Sequence, residues 1–198
     1  MSTETITSTE LTAQLPLAVA KSIASMVVLT SKDKITPALT VIKVVFDETS
    51  ITAIATDRYV AGRAKFTYDG DARGTIYLTA AMAKFITGLK GGRIVNFKLT
   101  DGSLTVDDFS ASISDANYKG NYPAVETLID GHKPGTTDGQ SFTVELIAKL
   151  GKIVGVDGKK LTVWHLEPGT SERPERPAPI IATNEEFTVL IQPNLVRR

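Results

Sequence analysis

The chain has 198 residues, 42% hydrophobic and 22% charged, enough for one large or two small domains around a sizeable core. Lysine plus arginine equals aspartate plus glutamate, 22 against 22, which argues against a protein coated in positive charge for nucleic acid. Cysteine is absent, excluding disulfides and thiol chemistry, and neither a long apolar run nor a basic-then-apolar leader is present. The expectation is a cytoplasmic protein without a membrane span or secretory signal.

In chain order, residues 4–9 (ETITST) read as a strand leading into a helix over 14–28, with Pro16 in its first turn, where a missing N–H costs nothing. Strands follow at 40–47, 50–57 and 59–69. A second lead strand at 74–79 runs into a helix over 80–90, capped by Thr79 and ended by Gly91-Gly92. Residues 93–114 hold the Asp101-Gly102 pair, the strongest hairpin signal in the chain. A third lead strand, 140–144, meets a helix over 144–154, whose Gly151 weakens the last turn. Strands at 159–167, 178–183 and 186–192 close the sequence, and the charged, proline-rich stretch 167–178 reads as an exposed excursion.

One unit thus recurs three times: lead strand, helix, then about three antiparallel strands. Residues 1–130 hold two such modules and 140–198 one, with 131–139 as linker. Between the strand runs 51–56 and 59–66 stands Thr56-Asp57-Arg58, where a tight hairpin ordinarily carries Asn-Gly or Asp-Gly.

These residues carry a resemblance. The stretch 37–66 (PALTVIKVVFDETSITAIATDRYVAGRAKF) resembles the segment of bacterial β-type DNA sliding clamps that reads L-x-A-T-D-x-x-R-L-A after a strand and turn. Residues 121–130 (NYPAVETLID) are similar to the stretch that ends clamp domains, 142–154 to a clamp helix, and 187–198 (FTVLIQPNLVRR) to the clamp C-terminus. The resemblance implies an α+β fold of repeated β-α-β-β-β modules, antiparallel sheets outside and helices on the inner face. It implies a polymerase processivity factor that encircles double-stranded DNA without sequence preference. It further implies partners, a DNA polymerase and a clamp loader, tethered by a short peptide motif in a hydrophobic pocket.

By position, the resemblance puts Leu39, Thr56, Arg58, Tyr59, Val60 and Ala61 on one wall of that pocket, and Leu190, Gln192, Pro193, Asn194 and Val196 on the other. Arg58 and Tyr59 replace the family's commoner small residue and histidine, Val60 replaces an arginine, and Gln192 and Asn194 replace two methionines, making the pocket more polar. Asp57 also has a purely local reading, as a side chain capping its own turn. Clamp rings have roughly twelve inner helices, so by the resemblance three per chain would require a homo-oligomeric ring of four, unless a further helix lies in 130–140 or the assembly is not a closed ring. The small size suggests a phage or mobile-element version.

The helix candidates carry Lys21, Lys84, Lys90, Lys149 and Lys152 against one acid, Glu145, with Arg93 just beyond a helix end. In a neutral chain that bias fits helices facing phosphates, although the helix dipole also favours late lysines. Enzyme parts are missing. His132 and His165 lack metal-ligand spacing, Asp107 and Asp108 point to opposite strand faces, and GLKGGR (88–93) follows a helix where a phosphate loop precedes one. No enzyme, cofactor or metal is expected. The second reading is a clamp-like module that regulates replication proteins without forming a ring.

Overall fold

Leu11, Ala13 and Leu15 are buried and alternate with exposed neighbours, the period of a strand with one face on a core. In the computed structural model, which describes residues 10–112, 118, 122–131, 144–161, 163–169 and 178–192, they form β1 (Leu11–Pro16). Helix α1 starts only at Leu17, runs to Ser25, and tightens into a 3-10 turn over Met26–Leu29. The expected helix start at 14 is therefore corrected: pairing of β1 with residues 94–99 captures Gln14 and Leu15, and Pro16 ends the strand. The lead strand expected at 4–9 falls outside the described residues, and β1 stands in its place.

Strands β2 (Val41–Phe46), β3 (Ser50–Thr56), β4 (Val60–Thr67) and β5 (Gly74–Thr79) follow. Helix α2 (Ala80–Gly88) is capped by Thr79, whose hydroxyl accepts from Met82 N at 3.3 Å. Next come β6 (Ile94–Thr100), β7 (Ser103–Val106) and β8 (Phe109–Ser112). The β6–β7 turn is Asp101-Gly102, both at positive φ (48° and 73°), as its sequence demands.

A short helix, α3 (Val125–Gly131), was not expected from its sequence. Its apolar signal is one i, i+4 pair, Val125 and Ile129, too little for a periodicity argument. Helix α4 covers only Val144–Ala148 and passes into a 3-10 turn at Leu150–Lys152, so the expected helix to 154 is shortened around Gly151. Strand β9 is His165–Pro168, not 159–167. The earlier residues instead close a small loop, in which Leu161 N donates to Ile153 O at 3.0 Å and Val154 bridges Lys160. Strands β10 (Ile180–Thr183) and β11 (Phe187–Ile191) complete the described chain.

All pairings are antiparallel. One sheet has the order β1-β6-β7-β8, the other β5-β2-β3-β4-β11-β10-β9. The fold is α+β with few helices. Each of the first two lead strands crosses to its companion module's sheet: β1 joins β6 and β5 joins β2. The main core fills the space between the sheets and α1 and α2, with Ile23, Met26, Ile76, Met82, Phe97 and Phe187 fully buried. A second cluster lies where α3 sets Val125 and Ile129 against Ile54, Ala61, Ile181 and Leu190.

Candidate functional site

Register sets the turn at the centre of the site. Thr56 pairs with Ala61, leaving Asp57–Val60 to reverse the chain, with Asp57 N donating to Val60 O at 3.1 Å. Arg58 adopts φ 81°, a conformation that glycine takes without penalty. Side chains hold it there. Asp57 Oδ1 accepts from Tyr59 N at 3.0 Å and Val60 N at 2.8 Å. The Thr56 hydroxyl donates to Val60 O at 2.8 Å and accepts from Arg58 N at 3.2 Å. Thr-Asp thus replaces glycine's freedom by hydrogen bonds, the local reading of Asp57.

The same aspartate reaches the third module. Its Oδ2 accepts from Lys149 Nζ, just after α4. Arg58 donates through its guanidinium to the Thr36 hydroxyl, tying the turn to the loop before β2. On its other flank β4 pairs with β11, Ile191 opposite Val60, and Gln192 N donates to Tyr59 O at 2.9 Å. The two segments expected as pocket walls are thereby adjacent along one sheet.

Their side chains divide by burial. Leu39, Thr56, Val60, Ala61 and Leu190 are buried; Val60 belongs to the main core, and Ala61 and Leu190 to the cluster under α3. Arg58 is exposed, Tyr59 is 65% exposed and Gln192 half-buried. Pro193, Asn194 and Val196 lie outside the described residues. Beside the turn opens a cleft of about 1010 Å³, bounded by Val27 and Val28, Asp57 and Tyr59, the start of α2, and Glu145, Lys149 and Lys152. Lys32 and Lys34 line it as well. They sit in an irregular loop around Asp33, without the periodicity by which sequence reading singles out helix lysines.

The cations expected to face DNA differ in their surroundings. Lys84, Lys90 and Lys152 are exposed and Lys21 is half-buried. Arg93 is held by Asp107 at 2.7 Å and Lys149 by Asp57, so both meet a counter-charge. Asp107 also accepts from Asn96 N at 2.9 Å, and its φ of 49° puts it in the β7–β8 turn. Of the histidines, His165 is exposed on β9 and His132 lies outside the described residues. Among the described residues no group of three His, Asp or Glu is placed to hold a metal, and no helix is long and apolar enough to cross a membrane.

Tyr122 supports the site from behind. Its hydroxyl donates to Ile54 O at 2.8 Å, and Lys43 Nζ stands 5.8 Å from its ring centre. Burial pushes its phenol above the ordinary range, because the phenolate would lose hydration.

No family model matches the sequence, and no curated protein matches it. Solved structures do match. The DnaN sliding clamp (DNA polymerase III subunit beta) of Pseudomonas aeruginosa, bound to griselimycin, superimposes with a TM-score of 0.66 at 12% identity, over 96% of this chain and 66% of that chain. The griselimycin-bound DnaN clamp of Bartonella birtlesii gives 0.67 at 11% identity, over 95% and 66%. The DNA polymerase III beta chain of Streptococcus pneumoniae gives 0.63 at 11% identity, again over 95% and 66%. At such identities the likeness is one of fold. The chain has the fold of the bacterial DNA polymerase III beta sliding clamps and spans 66% of the length of the clamp chains it matches.

Proposed function

We propose that the protein is a compact DNA sliding clamp: it holds duplex DNA loosely through phosphates and tethers replication proteins through a peptide seat beside the Thr56–Tyr59 turn. The observation that carries this reading is the clamp fold over 95% of the chain. The mechanism is topological and electrostatic, without covalent chemistry. Lys21, Lys84 and Lys90 attract the duplex by counterion release, a sequence-independent and salt-sensitive force, and Lys152, exposed where it bounds the cleft, adds positive charge beside the peptide seat. The cleft beside the turn offers apolar surface at Val27, Val28 and Tyr59 among polar neighbours such as Lys32, Asp57 and Glu145, and Leu39, Arg58, Val60, Ala61, Leu190 and Gln192 belong to the seat by their resemblance to the clamp pocket. An extended peptide with one or two apolar anchors fits such a cleft. Pro193, Asn194 and Val196 belong to its far wall by their resemblance to the clamp C-terminus. The chain is organised as a whole clamp domain (1–130), a linker (131–139) and a half domain (140–198). It closes as a ring-like homo-oligomer and works in the cytoplasm, that of a host if phage-encoded.

A second reading, a clamp-like regulator that forms no ring, is favoured by one observation: Lys149 and Arg93 are already paired with Asp57 and Asp107. Changing Lys84 and Lys90 together to glutamate separates the two. A DNA-holding clamp loses processivity and retention on nicked circular DNA while still binding a polymerase-derived peptide. A regulator shows wild-type peptide binding and no DNA retention to lose, an outcome that would sink the first reading.

A further inference from the structure

Lys32 and Lys34 stand in the loop between the 3-10 turn that ends α1 and the start of β2, and both line the cleft of about 1010 Å³ beside the Thr56–Tyr59 turn. The loop is shaped by its own hydrogen bonds. Ser31 N donates to Leu39 O at 2.7 Å, Asp33 N to the Ser31 hydroxyl at 3.0 Å, and Ile35 N to Asp33 Oδ1 at 2.9 Å. At its far end the Thr36 hydroxyl accepts from the Arg58 guanidinium. A bonded loop thus presents two exposed lysines to one cleft.

The cleft is positive in a chain whose total charge is zero. Lys149 and Lys152 bound it from the third module, so four lysines stand against two carboxylates, Asp57 and Glu145. Asp57 is committed, one oxygen to Tyr59 N and Val60 N and the other to Lys149. Among the described residues, Lys32, Lys34 and Lys152 meet no carboxylate, which leaves three cations against the one acid, Glu145. Apolar surface lies among these charges, at half-buried Val27 and Val28 and at Tyr59, 65% exposed. Ile35, on the same loop as the two lysines, is 88% exposed.

We propose that the cleft selects an extended peptide carrying aspartate or glutamate beside its apolar anchor, and that Lys32 and Lys34 read the acid. This deepens the peptide seat proposed above and rests on it. Apolar surface alone accepts any hydrophobic segment; unpaired lysines around it draw in acidic segments and reject basic ones. A lysine ammonium is a point charge on a flexible stem, so the acid is read by charge and not by one fixed bond. An extended chain rises about 3.3 Å per residue and screening limits each lysine to about 8 Å at physiological salt, so the acids that count lie within a few residues of the anchor. Duplex DNA is the poorer occupant: its phosphates need no apolar surface, and Glu145 in the same cleft repels them.

Selection of phage-displayed random dodecapeptides on the full chain tests it, with the wild type, Lys32→Glu/Lys34→Glu, and Lys65→Glu/Lys98→Glu, an equal charge change on exposed residues outside the cleft. The wild type and the Lys65/Lys98 variant are expected to enrich Asp and Glu beside an apolar anchor, and the Lys32/Lys34 variant to keep the anchor and lose the acids. Fluorescence anisotropy then follows the peptide most enriched on the wild type. Its Kd is expected to rise at least about tenfold in the Lys32/Lys34 variant at low salt, and less than about twofold for the same peptide with Asn and Gln replacing its acids. All four lysines are exposed, and circular dichroism checks that each variant folds. Selected peptides without acids, or an acid preference kept in the Lys32/Lys34 variant, would overturn the proposal and leave the peptide seat standing. Lost DNA retention in that variant with unchanged peptide selection would also overturn it and give the two lysines to the duplex. A wild type that selects no peptide would remove the seat itself, and this inference with it.

Discussion

Asp57 has three partners at once: Tyr59 N and Val60 N on one oxygen and Lys149 Nζ on the other. Alanine in its place frees the turn and leaves the Lys149 ammonium, 19% exposed, without a counter-charge. Asp57→Ala is expected to cost about 3 kcal/mol, and Asp57→Asn, which keeps the Oδ1 acceptor, roughly half of that. Urea midpoints at unchanged slope check both values. Tyr122 makes a pH prediction. Its folded-state pKa is raised, so its neutral form is kept after the unfolded phenol begins to ionise. Stability is fully present below the unfolded value near 10 and falls as pH rises beyond it. Alkaline titration followed by far-ultraviolet dichroism should show this limb flattened in Tyr122→Phe.

At the scale of elements, α2 depends on its cap and β4 on close approach. Thr79→Ala removes the acceptor for Met82 N and is expected to cost about 1 kcal/mol, a melting shift of roughly 2–4 °C for a chain of this size. Gly62 lies in β4 against α1's end: an added Cβ would stand 2.4 Å from Leu29 Cδ1 and 3.4 Å from Val189 Cγ2. Leu29 is fully buried, with little room to yield, so Gly62→Ala is expected to cost about 1–3 kcal/mol by overpacking, read by chemical denaturation. Legibility varied along these same elements. α2 was readable because Thr79, the apolar run and Gly91-Gly92 agree about its limits. The start of α1 was not, because Leu15 and Leu17 satisfy both periods until pairing with β6 decides. α3 offered only Val125 and Ile129, and its helix is fixed by the apolar surface of β3, β4 and β11 beneath it.

At the scale of the molecule, a neutral total charge makes DNA holding a matter of placement. Among the described residues, Lys149 and Arg93 are the helix cations held in ion pairs, and Lys21, Lys84, Lys90 and Lys152 meet no carboxylate there. The salt dependence of DNA binding should then have a log–log slope of no more than about −4 for each protomer that contacts the duplex, and Lys84→Glu should make it shallower. A slope near zero would remove phosphate contact from the account.

Pattern by itself marked most of the strands and the two helices of the first two modules, and the resemblance to sliding clamps supplied the α+β class that the fold bears out. Pattern also marked Thr56-Asp57-Arg58 as an abnormal turn, since local chemistry suffices to see that glycine is missing. What the turn does was decided by tertiary structure. Only the β4–β11 pairing brings Gln192 to Tyr59, and only the docking of the third module brings Lys149 to Asp57. Burial likewise separated residues that sequence treats alike: neighbours in one motif, Tyr59 points to solvent while Val60 enters the core. That the strands 180–183 and 187–191 extend the sheet of the first module was invisible in the linear pattern. A lead strand is recognised by the helix that follows it, but the sheet it completes is chosen in space, by which edge still has backbone groups to pair.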